Sequence, residues 1–219
     1  MTILSKVLSE IKTLIDYAKF GVFFVRTNNY DEKNDRLMPL HFPKGVKRFD
    51  SGLIQYATAL TGEVVSFAGG GYAQNNTSIE YINLPKCTFM GQWSAFNGLQ
   101  ALKECFLPSL RVLNQYWLCN DPNLEILEVG VLTDFNGSYA MKGNPKVHIF
   151  IIGKDTAVSL YLQECPLLTQ ECIHNIIDNV ADRTGTSALT LYVHQEVYDR
   201  ISEEYKTKLS NKNWNLAVA

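Results

Sequence analysis

Apolar residues recur through the middle of this chain in a fixed order, at three positions spaced three and then two residues apart, returning every 22 to 23 residues. The four occurrences are Ile79-x-x-Ile82-x-Leu84, Leu102-x-x-Cys105-x-Leu107, Leu124-x-x-Leu127-x-Val129 and Val147-x-x-Phe150-x-Ile152. The last two positions alternate as the inward face of a short strand does, and the first turns the chain into it. Eleven residues before each last apolar position stand Ala73, Phe96, Leu118 and Met141. Turn formers follow them: Asn75-Asn76, Asn97-Gly98, Asn120-Asp121-Pro122 and Gly143-Asn144-Pro145. Asn and Asp satisfy nearby backbone, Gly permits positive φ and Pro fixes φ. Past each strand an apolar residue returns, at Phe89, Val112, Phe135 and Val158. One such unit cannot bury its apolar face alone, whereas stacked units share a continuous core. The pattern therefore predicts an α/β solenoid of parallel strands over residues 73–168.

From Leu168 the period changes. Ile173, Ile176, Ile177 and Val180 share one helical face, Thr169 is a good N-cap, and Thr184-Gly185-Thr186 is read as the helix end. Ala188–Val193 alternates as a strand, Glu196–Leu209 reads as one amphipathic helix with Val197, Ile201, Tyr205 and Leu209 inward, and Trp214–Val218 reads as a closing strand. Residues 169–219 thus form a helix-strand-helix-strand cap that keeps the last repeat from exposing its core.

Before the repeats, Leu4, Leu8, Ile11, Ile15 and Ala18 make an apolar seam with Lys6, Glu10, Lys12 and Asp16 outside it. Residues 1–20 are an N-terminal helix under either of two readings: it packs on its own domain, or it docks or oligomerises. Residues 21–72 read as an irregular β-rich region and cap. Within it Phe20–Val25 is a buried strand, Thr27–Arg36 a polar loop, and His41–Asp50 a turn-rich link. Leu53–Leu60 and Glu63–Phe67 form an irregular first unit or cap, and Gly69-Gly70-Gly71 breaks the chain.

The unit exemplified by Leu118-Cys119-Asn120-Asp121-Pro122-Asn123-Leu124-Glu125-Ile126-Leu127-Glu128-Val129, with Ile82-Asn83-Leu84-Pro85 and its echo Phe106-Leu107-Pro108, resembles the BspA-like class of leucine-rich repeats. The resemblance covers about Ala73 to Leu168; it departs at Cys105, which replaces a leucine, and at the inserted Lys154-Asp155-Thr156. The last block is similar to a tail found on bacteriophage, prophage and gut-bacterial leucine-rich-repeat proteins. Leu168, Thr169, Glu171, Asn175, Ile176, Ile177, Thr184, Gly185, Leu189, Thr190, Leu191, Lys212, Trp214, Leu216 and Ala217 carry that likeness. Asn213 stands where the family has Gly, which a left-handed turn tolerates, and Cys172 where it has Ser.

Composition narrows the function classes. With 46% hydrophobic and 19% charged residues the chain can bury a real core. A net charge of −2 and the lack of a basic run argue against nucleic acid. No apolar run reaches membrane-spanning length, and the charges at Lys6, Glu10, Lys12 and Asp16 interrupt any secretory signal, so no membrane insertion is expected. Cys87, Cys105, Cys119, Cys165 and Cys172 are odd in number, without C-x-x-C, and read as buried apolar residues. His41, His148, His174 and His194 lack metal-ligand spacing. The glycine run is no phosphate loop. Glu125 with Glu128, or Glu80 with Glu104, could neighbour one another on a sheet face, which more often means a solvated surface than an acid-base pair. No catalytic, cofactor or metal site is expected.

The outward strand positions are more informative. They include Tyr81, Asn83, Glu104, Phe106, Ile126, Glu128, Ile149 and Ile151, of which Tyr81, Phe106, Ile126, Ile149 and Ile151 should form an exposed apolar column, which implies a covered surface: the chain's own N-terminal segment, an inserted loop or a partner lies on it. The resemblance implies a non-enzymatic structural or binding part of a bacteriophage virion, such as a tail, fibre or head-decoration protein. Its partners would be other virion proteins or a host surface protein or glycan, with Leu4, Leu8, Ile11 and Ile15 available for homo-oligomers. The alternative is a bacterial BspA-like surface-interaction or adhesin protein, in the cytoplasm or at the cell surface.

Overall fold

A computed structural model describes residues 57–67, 73–90, 96–113, 116–135 and 139–219, with the backbone pairing of short strands at 22–23, 30–31, 36–42 and 48–49. The proposed assembly helix at Leu4, Leu8, Ile11 and Ile15, like Gly69-Gly70-Gly71, lies outside the described residues.

The chain forms parallel-strand sheets with few helices, an α/β arrangement. The main sheet contains β2 (Tyr30–Asp31), β3 (Arg36–Phe42), β5 (Ala57–Gly62), β7 (Tyr81–Asn83), β9 (Glu104–Leu107), β11 (Ile126–Val129) and β13 (Ile149–Ile151), adjacent in that order. All its pairings are parallel except the β2–β3 hairpin. Shorter strands pair beside it: β1 (Val22–Phe23), β4 (Arg48–Phe49), β6 (Ser66–Phe67) and β8 (Phe89–Met90) in one sheet, and β10 (Val112–Leu113) with β12 (Asp134–Phe135) in another. A last parallel sheet joins β14 (Leu160–Leu162), β15 (Leu189–Val193) and β16 (Trp214–Val218).

The apolar spacing accounts for the interior. Register sets Leu60, Ile82, Cys105, Leu127 and Phe150 side by side across β5, β7, β9, β11 and β13, and all are buried. Leu84, Leu107, Val129 and Ile152 are buried beside them, as are Ile79, Leu102, Leu124 and Val147 at the strand entrances. Each large side chain so buried stabilises by about 1.5–3 kcal/mol.

The turns are as regular as the strands. Asn75, Gly98, Asn120 and Gly143 all take positive φ, from 58° to 76°, and successive turns are tied by backbone bonds from Asn75 N–H to Asn97 O, Gly98 N–H to Cys119 O and Asn120 N–H to Lys142 O, 2.8 to 2.9 Å. The glycines are required by packing as well as by φ: a Cβ on Gly143 would lie 2.8 Å from Asn120 Oδ1. The next residue in three of these turns is a buried polar one: Asn76, Asp121 or Asn144.

In the C-terminal block, helix α1 (Gln170–Asn179) covers the open side of β13. Thr169 Oγ1 accepts the Cys172 N–H at 3.1 Å, capping the helix as its sequence predicts. Cys172, Ile173, Ile176 and Ile177 are buried beneath it. The Phe150 N–H, which has no further strand to meet, donates to Cys172 Sγ at 3.0 Å. At the other end Lys212 Nζ donates to the carbonyls of Ile177, Asp178 and Val180 at 2.8 to 2.9 Å, where a cation is favourable against the helix dipole. Asn213 holds φ 58°, the left-handed turn expected of it.

Several expectations change. The main sheet does not wait for residue 73, because β5 and β3 extend the same parallel ladder. The polar stretch at 27–36 contains β2 and the first residue of β3, which pair antiparallel, and the link at 41–50 lies partly in β3 and β4. Among the returning apolar residues, Phe89 is 45% exposed and Val112 half-buried, while their neighbours Met90 and Leu113 are fully buried. Register aligns Leu113 with the buried Phe135, so the inward row lies one residue later in those two units. Helix α1 stops at Asn179, before Thr184-Gly185-Thr186, because Val180 turns extended and bridges to Thr156. The second helix is two, α2 (Gln195–Arg200) and α3 (Glu203–Asn211). Ile201 adopts extended backbone to reach the core, and Ser202 Oγ accepts the Tyr205 N–H to start α3.

Candidate functional site: the outward face of the main sheet

Because strand side chains alternate, the buried row through Ile82, Cys105, Leu127 and Phe150 leaves the residues on either side pointing away from the core. Register arranges them in two rows rather than one column. The first runs Ala59, Tyr81, Glu104, Ile126, Ile149, and the second Thr61, Asn83, Phe106, Glu128, Ile151. The expected single apolar column is thereby corrected: Glu104 stands between Tyr81 and Ile126, and Glu128 between Phe106 and Ile151. Two apolar clusters remain. Tyr81 and Phe106 are in ring contact, with centroids 5.8 Å apart and planes tilted by 52°. Ile126 and Ile149 are direct neighbours, with Ile151 further along the same strand as Ile149. Ile151 is 43% exposed and the other four are half-buried.

Just ahead of these rows, backbone bonds link Lys103 N–H to Glu80 O, Glu125 N–H to Lys103 O and His148 N–H to Glu125 O. Neither acid pair considered from sequence forms a carboxylate pair by register: Lys103 meets the Glu80 carboxylate, at 3.6 Å, and Glu125 lies ahead of β11 while Glu128 lies in its second outward row. Asn83 Nδ2 donates to Tyr81 Oη at 3.0 Å, fixing the phenol edge of the first cluster. Among the described residues Glu104, Glu125 and Glu128 take part in no ion pair.

The remaining chemistry-bearing residues have local roles. His194 Nδ1 accepts the Glu196 N–H at 3.2 Å and caps α2. His174 stacks on Tyr205, with centroids 3.6 Å apart, joining α1 to α3. His148 Nδ1 lies 3.3 Å from Lys146 O. All five cysteines are free and buried. Burial pushes the thiols of Cys87 and Cys165 up to about 12 and those of Cys119 and Cys172 up to about 11, and lifts Cys105 well above the ordinary range, so they are protonated at neutral pH. No group of three or more His, Cys, Asp or Glu side chains among the described residues is arranged to hold a metal ion. No helix among them is long and apolar enough to cross a membrane.

Sequence reasoning missed the buried polar row. Asp121 Oδ1 accepts the Leu99 N–H at 2.6 Å, Asp121 N–H donates to Asn144 Oδ1 at 2.9 Å, and Asn144 Nδ2 donates to Leu118 O. Asp121 and Asn144 were visible only as turn formers, and a turn former looks the same in sequence whether it meets water or the next turn. No protein family, curated protein or solved structure gives a match to this chain.

Proposed function

We propose that this chain is a leucine-rich-repeat solenoid of the BspA-like kind, serving as a non-enzymatic structural and binding component of a bacteriophage virion. What supports the solenoid reading is the in-register parallel stack of β7, β9, β11 and β13, whose units recur every 22 to 23 residues with the same inward row and the same left-handed turn. Units of this kind cohere only as an array and present one extended face. The observation that carries the binding reading is the outward face itself, where five large apolar side chains, Tyr81, Phe106, Ile126, Ile149 and Ile151, sit half-buried or exposed within four adjacent strands. Such clusters on a sheet face favour contact with another molecule. The virion assignment rests on the likeness of the C-terminal block to the tail of phage and prophage repeat proteins, in which Thr169, Lys212, Trp214 and Asn213 hold the helix and the closing strand together.

Mass spectrometry of purified particles, produced from the genome that encodes the chain, tests the assignment. The chain is expected among the particle proteins at a stoichiometry above background. Its absence from intact particles that infect normally ends the virion reading.

A further inference from the structure

The apolar clusters on the outward sheet face are interleaved with acids, and the pattern of that interleaving identifies the kind of partner the face fits. The inference rests on the docking reading above. Glu104 and Glu128 lie inside the two rows, and Glu80 and Glu125 at the strand entrances, beside the ammonium of Lys103. Glu80 is engaged by Lys103, while Glu104, Glu125 and Glu128 have no ion pair among the described residues. Like charges on adjacent strands are unfavourable, so the carboxylates of Glu104 and Glu128, half-buried between aromatic and aliphatic side chains, leave a charge that a partner can compensate.

We infer that this face takes an extended polypeptide segment of a partner protein that carries lysine or arginine at alternate positions. Nucleic acid and anionic lipid are repelled by the same carboxylates. A neutral glycan leaves their charge uncompensated. A wholly apolar segment would desolvate them without a counter-charge, which is costly. The spacing suits a peptide: Glu104 and Glu128 sit on neighbouring strands and two residues apart along them, a diagonal of about 7–8 Å. Residues two apart in an extended chain are about 6.5–7 Å apart, so consecutive cations of an alternating segment reach both acids. Side chains of an extended segment alternate in direction, so the residues between the cations point away from the sheet, and the methylene stems of the cations lie along Phe106 and Ile126, which flank the diagonal.

Fluorescence anisotropy with the full-length chain and two labelled probe peptides tests this, one alternating lysine with leucine and the other glutamate with leucine. The lysine peptide is expected to bind and the glutamate peptide not. Glu104→Gln with Glu128→Gln should weaken the lysine peptide about tenfold, the sum of two modest charge contacts, and added salt should weaken it further. Glu196→Gln, on α2 and away from the face, should leave binding unchanged; circular dichroism of each variant verifies its fold. Equal binding of the two peptides, or a double variant that binds as the wild type does, overturns the inference. If binding is then still lost in Ile151→Ser, the docking reading survives without its charge specificity. If Ile151→Ser and Phe106→Ser also bind unchanged, both fall.

Discussion

The backbone N–H of Asp121 donates to Asn144 Oδ1 at 2.9 Å, and neither residue is exposed to solvent at all. Asp121 in turn accepts the Leu99 N–H on Oδ1, while its Oδ2 has no hydrogen-bond partner. Three successive turns are thus joined through one row of buried polar side chains, and that row contains a carboxyl group. Burial raises the Asp121 carboxyl well above the usual range, partly opposed by the nearby backbone amides of Leu99 and Gly98.

A raised carboxyl pKa in the folded state means that the folded chain holds a proton the unfolded chain has released. Stability therefore falls as pH rises from the unfolded carboxyl range, near 4, toward the raised folded value. Urea denaturation across this window should show that decline in the wild type and a flatter profile in Asp121→Asn. Asp121→Ala, which leaves the Leu99 amide without an acceptor, should cost about 1–3 kcal/mol. A wild-type profile as flat as that of Asp121→Asn would contradict the assignment.

Gly143 and Gly185 separate backbone strain from packing. Both have positive φ, 76° and 80°, but a Cβ on Gly143 meets Asn120 whereas one on Gly185 meets nothing within 4 Å. Gly185→Ala should cost about 1–2 kcal/mol, the left-handed penalty alone. Gly143→Ala should cost more, by about 1–3 kcal/mol of steric displacement. Equal losses of stability in chemical denaturation would mean that the Asn120 contact relaxes freely.

Lys212 gathers the last carbonyls of α1. Replacing it with methionine keeps most of the apolar stem but removes three bonds from a charged donor, and should cost about 1.5–3 kcal/mol. Hydrogen exchange should report the loss first in the last turn of α1 and at Ala181, which accepts from the Trp214 indole. Loss spread evenly over the main sheet would point instead to a global effect.

Cys172 covers the exposed edge of β13. Cys172→Ser is expected to stay within about 1 kcal/mol of wild type, since a hydroxyl can accept the Phe150 amide, whereas Cys172→Ala should expose that amide and lose about 1–3 kcal/mol. With thiols pushed up to about 11 or beyond, about one in a thousand or fewer is ionised at pH 8. Iodoacetamide should accordingly leave all five cysteines unmodified until the chain is unfolded. Rapid labelling of native protein would show that one of them is reached by solvent.

The interior was readable from spacing, because Ile82, Leu84, Cys105, Leu107, Leu127 and Val129 must alternate inward to be buried at all. The first helix of the C-terminal block was readable too, since Thr169 and the Ile173–Ile177 face carry local helix signals. The outward face was readable only in part. Tyr81, Phe106, Ile126, Ile149 and Ile151 were found there, as were Glu104 and Glu128, but which residue flanks which depends on strand pairing, and that set the acids between the apolar residues. Ile201 was assigned correctly to the inside, yet its burial required a break in the helix that the amphipathic pattern does not reveal.

By itself the sequence determined which side chains of the main sheet face inward and where the turns before its strands fall, since apolar burial and backbone freedom are properties of residue type. Neighbourhood belonged to the tertiary structure. Pairing one strand against the next decided that acids divide the apolar face, that the sheet continues back to β3, and that Asp121 lies out of reach of water. A strand's alternation separates inside from outside but carries no information about which residue of the adjoining strand lies beside it.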